Sequence, residues 1–165
     1  TPWGLSEFIK AAEMHDLPKV VSVQNAYNLL NRIYESGMSE FHHRSQVGLL
    51  AYSPLAQGYL TGKYLDGARP AGARTALFER GQRYETEQAE EIIRKYVNLA
   101  NEYSMDPALM ANSFVNDQDF VTSNIIGATT MEQLKIAVGS IDTKLDEECL
   151  KKIEEIHYGC PNPCP

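Results

Sequence analysis

Three short stretches carry the side chains best placed to hold a ligand. Gln24 and Asn25 close a β-branched run, Lys19 to Gln24, of strand length. Tyr52-Ser53-Pro54-Leu55 puts an aromatic ring and a hydroxyl where a second apolar run stops. In parallel α/β architectures the carboxyl ends of strands build the site, so both stretches stand where binding groups belong. The third, Gly58 to Tyr64, almost reads as a phosphate-binding P-loop. It is not one: three residues rather than four separate Gly58 from Gly62, and Tyr64 replaces the Ser or Thr that would hold magnesium. His42-His43-Arg44 reads as a solvated helix face rather than a metal site. Cys149, Cys160 and Cys164 contain no CxxC pair, so neither a zinc knuckle nor a disulfide framework is indicated.

The elements that must position these groups alternate between helical and strand spacing, the pattern of βα units feeding a parallel sheet. Thr1 can cap a first helix with Pro2 at its first position and Leu5, Phe8, Ile9 and Ala12 on one face. A short helix is expected near Met38 to Gln46, and a second strand over Gly48 to Tyr52. The Gly-, Arg-, Pro- and Ala-rich stretch from Gly58 to Glu85 reads as a long surface loop, a length usually kept for function. Thr86 opens a helix through about Tyr103, and Asp106-Pro107 opens another. Thr122 to Ala128 is a third strand. Thr129 or Thr130 caps a helix through about Ser140, and Asp146 caps a last one ending near His157, whose side chain suits the helix dipole. Residues 159–165, rich in Pro and Cys, read as a flexible tail.

This gives one α/β domain over residues 1–165 with no linker inside it. A complete (β/α)8 barrel takes about 250 residues, so three βα units plus C-terminal helices correspond to its later part. Thr1-Pro2-Trp3-Gly4 reads as the start of a helix rather than of a gene, and a longer parent protein is expected. With 15 basic against 22 acidic side chains the net charge is −7, which argues against nucleic acid or an anionic membrane as partner. Apolar runs such as Leu49-Leu50-Ala51 fall far short of the roughly 18 residues that span a bilayer, and a cytoplasmic location is expected.

VSVQNAYNLLNR, GLLAYSPLAQGYLTGKY and IIGATTMEQLK resemble, in order, three signature stretches of the aldo-keto reductase superfamily, in its Tas-like branch related to potassium-channel β-subunits. The likeness covers nearly the whole chain and implies the C-terminal half of that TIM barrel, with NADP(H) as cofactor. It implies that Gln24 hydrogen-bonds the nicotinamide carboxamide and that Tyr52 stacks on the nicotinamide ring. Ser53, and Leu55 through its backbone, would contact the pyrophosphate, with Gly58 allowing close approach. Lys63 would pair with phosphate and Arg74 with the 2′-phosphate that separates NADP from NAD. Thr129 and Gln133 would bind at the adenosine end, beside a helix N-terminus. Each has a plainer reading: Tyr52 as a core aromatic, Gln24 as a partner of barrel backbone, Lys63 and Arg74 as solvated loop charges, Thr129 as a helix cap.

The chain departs from the pattern at Ile136 and Ala137, where many relatives carry Glu-Asn to bind adenine. It departs again at Asn112-Ser113 and Asn116-Asp117-Gln118-Asp119, where relatives keep an apolar helix and a basic corner. The family's Asp, Tyr, Lys and His tetrad lies upstream of the matched region, so no catalytic residue is assigned. The resemblance implies hydride transfer between nicotinamide and a small carbonyl or alcohol, with this half supplying the cofactor cradle and inactive alone. The alternative is a non-catalytic nucleotide-sensing or partner-binding module of the channel-β type. Open strand edges would also permit self-association.

Overall fold

The computed structural model describes residues 1–77 and 83–164, with Arg74 by its backbone alone. Helix α1, Pro2–Met14, starts where Thr1 Oγ1 accepts the Gly4 N–H at 3.2 Å. Strand β1, Ser22–Ala26, helix α2, Met38–Ser45, and strand β2, Gly48–Tyr52, follow. A run of short 3-10 turns and a one-turn helix α3, Arg74–Leu77, occupy the expected long loop. Helix α4, Ala89–Glu102, helix α5, Pro107–Asn116, strand β3, Val121–Ile125, helix α6, Met131–Gly139, and helix α7, Glu147–Gly159, complete the order.

The three strands are parallel and sequential, β1-β2-β3, the order that consecutive βα units have in a (β/α)8 barrel. The ladder starts β1 three residues later and ends it two residues later than the run read from the sequence, because Ser22 to Ala26 are the residues in register with Gly48 to Tyr52. Gly48 is needed where it stands: a Cβ there would meet the Thr122 side chain at the point where β2 and β3 slip register. Leu49 and Ala51 are fully buried against the helices. The opposite sheet face, carrying Gln24, Leu50, Tyr52, Ser123 and Ile125, is only partly covered. No helix among the described residues is long and apolar enough to cross a membrane.

The core sits between the sheet and α4, α5 and α7. Tyr27 stacks on Phe114 at 6.0 Å and meets Phe120 edge-on at 5.2 Å, with Leu29, Leu49, Tyr96, Met110 and Ile153 around them. On α1 only Leu5 and Ala12 are buried, and Phe8, expected on the same face, is 70% exposed. Asn112 and Ser113 are buried and hydrogen-bonded, Asn112 Nδ2 donating to the Ala108 carbonyl at 2.9 Å and Ser113 Oγ to the Ser140 carbonyl at 3.4 Å, while Asn124 Oδ1 in the same cluster is buried without a partner. Asn124 Nδ2 donates to Asn112 Oδ1 at 3.2 Å and to Asn116 Oδ1 at 2.9 Å, and Asn116 Nδ2 donates to Ser140 Oγ at 2.8 Å. Hydrogen bonding of this kind is what makes burial of an amide tolerable.

Two further expectations need correction. Thr86 does not cap α4: its hydroxyl donates to the Pro163 carbonyl at 2.7 Å, and the helix begins three residues later. The tail expected to be flexible is docked. Asn162 Oδ1 accepts the Arg32 N–H at 2.6 Å, the Cys164 N–H donates to the Leu30 carbonyl at 3.3 Å, and Cys164 is buried. Composition marks such a segment as loop, but the Asn162 side chain and the Cys164 N–H find partners on the turn after β1, and the Pro163 carbonyl finds Thr86.

Candidate active site

In the β1-β2 ladder Gln24 pairs with Leu50 and Ala26 with Tyr52. Side chains alternate across a strand, so Gln24, midway along β1 rather than at its end as the sequence suggested, and Tyr52, at the carboxyl end of β2, stand on one sheet face. Gln24 is exposed and Tyr52 half-buried. The chain leaves β2 through Ser53 at φ 57°, and Ala56, Gln57 and Gly58 follow at 48°, 59° and 98°. Left-handed residues at this density curl the backbone into a tight loop. It is closed by Ala56 N–H donating to Ser53 O, Gly58 N–H to Leu55 O, both at 2.8 Å, and Thr61 Oγ1 to Gly58 O at 2.8 Å.

Gly58 serves two ends here. Its φ suits no other residue well, and a Cβ would stand 2.9 Å from Lys63 Cε and 3.0 Å from its Nζ, so the lysine stem lies across the glycine. The Lys63 ammonium is 5.1 Å from the Tyr64 ring centroid and joins no ion pair among the described residues. A left-handed turn with an ammonium lying across its glycine is a chemistry that suits an anionic group.

The segment before α4 is tied to this loop. Arg83 Nη1 donates to Tyr52 Oη at 3.4 Å. Tyr59 Oη donates to Glu85 Oε1 at 2.5 Å, and Arg69 Nη2 reaches the same oxygen at 2.7 Å. Burial, and then the Glu85 carboxylate, push the Tyr59 phenol above its ordinary range.

At the end of β3, Thr130 rather than Thr129 caps α6, its Oγ1 accepting the Gln133 N–H at 3.2 Å. Gln133 Oε1 in return accepts from Thr129 N–H at 2.9 Å and from Thr129 Oγ1 at 3.1 Å, so these two candidates are brought together, exposed, with Gln133 Nε2 left as a donor. Arg74 opens α3, and its side chain lies outside the described residues.

Sequence reasoning missed the groups behind the site. Asn28 is fully buried and links the turn after β1 to Ser53 and Tyr84. Arg32, 7% exposed, is bidentate to Glu35 at 2.7 and 2.8 Å and reaches Glu154 at 2.7 Å. Tyr27 Oη donates to the same Glu35 at 2.5 Å, and burial followed by Glu35 raises its phenol far above the usual range. Asn-Leu-Leu-Asn carries the composition of an Asx turn, which is the one signal the sequence held.

A family model described as "Aldo/keto reductase family" matches residues 2–157. Protein tas of Escherichia coli (strain K12) is 47% identical over 165 residues, all of this chain and 48% of that protein. L-glyceraldehyde 3-phosphate reductase of Escherichia coli (strain K12) is 36% identical over 127 residues, 72% of this chain and 36% of that protein. A candidate voltage-gated potassium channel subunit beta of Schizosaccharomyces pombe is 31% identical over 170 residues, 93% of this chain and 49% of that protein. The chain spans about half the length of the Tas relative it matches. With a match across nearly all its residues and a parallel α/β fold to carry it, the chain belongs to the aldo/keto reductase family.

Proposed function

We propose that this chain is the cofactor-holding half of a cytoplasmic, NADP(H)-dependent aldo-keto reductase acting on a small carbonyl or alcohol. The observation that carries the reading is the placement of Gln24 and Tyr52 on one face of adjacent strands, with the left-handed Ser53–Gly58 loop and Lys63 directly after them. When bound, the nicotinamide gives a hydride to the carbonyl or takes one from the alcohol. The chain's own residues bind and orient. Gln24 offers an amide to the carboxamide, Tyr52 a ring face to the nicotinamide, and Ser53, the Leu55 backbone and Lys63 polar and charged groups to the pyrophosphate. Arg74 is assigned to the 2′-phosphate, and Thr129 with Gln133 to the adenosine end. Proton transfer falls to residues of the parent protein outside this chain.

Turnover of a panel of aldehydes and ketones by the full-length protein, followed as loss of NADPH absorbance, tests this reading. Activity in the full-length protein and none in the isolated 165-residue chain is the expected outcome. A second reading, a nucleotide sensor without turnover, draws on the similarity to the channel subunit beta of Schizosaccharomyces pombe. NADPH binding by the full-length protein with no turnover of any carbonyl would favour it.

A further inference from the structure

We infer that Asn28 is a positioning residue for the nucleotide loop: its side-chain amide fixes where Ser53 and Tyr84 stand, and so sets dinucleotide affinity from behind the site. The inference rests on the reading that the loop after β2 holds a dinucleotide.

Asn28 has no exposed surface, and its side chain has no hydrogen-bonding capacity to spare. Its Oδ1 accepts from the Leu30 N–H at 2.9 Å and the Asn31 N–H at 3.1 Å. Two backbone donors aimed at one oxygen fix the orientation of the amide, which leaves only Nδ2 to reach outward. Nδ2 donates to the Ser53 carbonyl at 3.0 Å and to Tyr84 Oη at 3.2 Å. One amide thus joins the turn after β1, the first residue after β2 and the segment before α4.

The two outward bonds bear on Tyr52 from both sides. Ser53 is held at φ 57°, a conformation that residues with a Cβ avoid, and its carbonyl is the acceptor for Asn28 as well as for the Ala56 N–H. Tyr84 is 1% exposed and follows Arg83, whose guanidinium reaches the Tyr52 hydroxyl. Loss of the donor at Asn28 therefore frees the Ser53 turn and the Arg83-Tyr84 segment together. The side chain of Asn28 has no access to a ligand itself.

Asn28→Asp isolates the donor function. It keeps the shape and the acceptor for Leu30 and Asn31, and sets a carboxylate oxygen against the Ser53 carbonyl. NADPH affinity is measured by fluorescence titration of the full-length protein, beside the thermal midpoint and the KM of a carbonyl substrate. The expected result for Asn28→Asp is an NADPH Kd weaker by about tenfold, the loss of one to two hydrogen bonds, with the carbonyl KM unchanged. Ile153→Ala, in the fully buried core of α7, is the control for thermal cost and should leave NADPH Kd unchanged. Tyr84→Phe, which removes only the hydroxyl acceptor, should weaken NADPH by about two- to fivefold, and it decides the matter if Asn28→Asp does not fold. An unchanged Kd in a folded Asn28→Asp protein, or a loss no larger than that in Ile153→Ala, overturns the inference. A wild-type protein that does not bind NADPH overturns the reading of the loop and this inference with it.

Discussion

Arg32 Nη1 lies 2.7 Å from Glu154 Oε1, joining the turn after β1 to the last helix across 122 positions of sequence. The same guanidinium holds Glu35 with two bonds and stands 5.1 Å from the Phe114 ring centroid. A single buried cation thus gathers the turn that carries Asn28, the core and α7. Glu35 and Glu154 are themselves 28% and 36% exposed and Glu35 keeps its Tyr27 bond, so loss of the guanidinium costs less than breaking a fully buried pair, about 3–5 kcal/mol, and the lost packing of Arg32 on Phe114 adds to it. Arg32→Ala is therefore expected to lower unfolding stability by about 3 kcal/mol in urea denaturation, whereas Glu40→Ala, an exposed i,i+4 partner of Arg44, should cost about 0.5 kcal/mol or less.

The docked tail predicts a second effect. Truncation after Gly159 removes the Asn162 acceptor of the Arg32 N–H, the Pro163 acceptor of Thr86 and the buried Cys164 side chain. Hydrogen exchange should then accelerate at the Arg32 amide, which has lost its acceptor. Unchanged protection there would mean the tail adds nothing to the turn.

Lys63 and Gly58 make a third case. Lys63→Ala removes the cation beside the loop and should weaken NADP(H) binding by about 1–2 kcal/mol, roughly tenfold, with little change in stability because the side chain is exposed. Gly58→Ala should weaken binding at least as much and lower the thermal midpoint as well, since φ 98° and the Lys63 stem both oppose a Cβ. Isothermal titration with NADP and thermal melts separate the two variants.

Alkaline pH gives a fourth. Burial first, with Glu35 for Tyr27 and Glu85 for Tyr59 adding to it, raises the phenols of Tyr27, Tyr59 and Tyr96 above their ordinary value of 10.0. A folded-state pKa above the unfolded one means the unfolded chain loses protons first. The stability these groups contribute is complete below pH 10.0 and is lost as pH rises beyond it. Unfolding monitored by tyrosinate absorbance should be cooperative above about pH 10 rather than a gradual titration of exposed phenols.

Much of this is legible in the sequence, where local rules decide. Thr1-Pro2, Asp106-Pro107 and Asp146 each open the helix they announce, and Gly48 to Tyr52 forms the strand its residues predict. What stayed hidden depends on distant partners. The later placement of β1 follows from pairing with β2, the diversion of Thr86 from Pro163, and the docked tail from Leu30 and Arg32. Strand ends and a Gly-rich turn single out Gln24, Tyr52, Ser53 and Gly58 in the sequence, and the cofactor roles proposed for them come from the family resemblance, not from local rules. Asn28 was missed because its acceptor and donor contacts lie 2 to 56 positions away and none of them points to solvent.

The central claim is that this fold cradles a 2′-phosphorylated dinucleotide, and the most direct measurement is parallel fluorescence titration of the full-length protein with NADPH and NADH. Saturable NADPH binding, with NADH weaker by at least tenfold, is the predicted result, as expected of a charged contact to the extra phosphate worth about 1.4 kcal/mol or more. Equal affinity for the two would contradict the role given to Arg74, and no saturable binding of either would contradict the account as a whole.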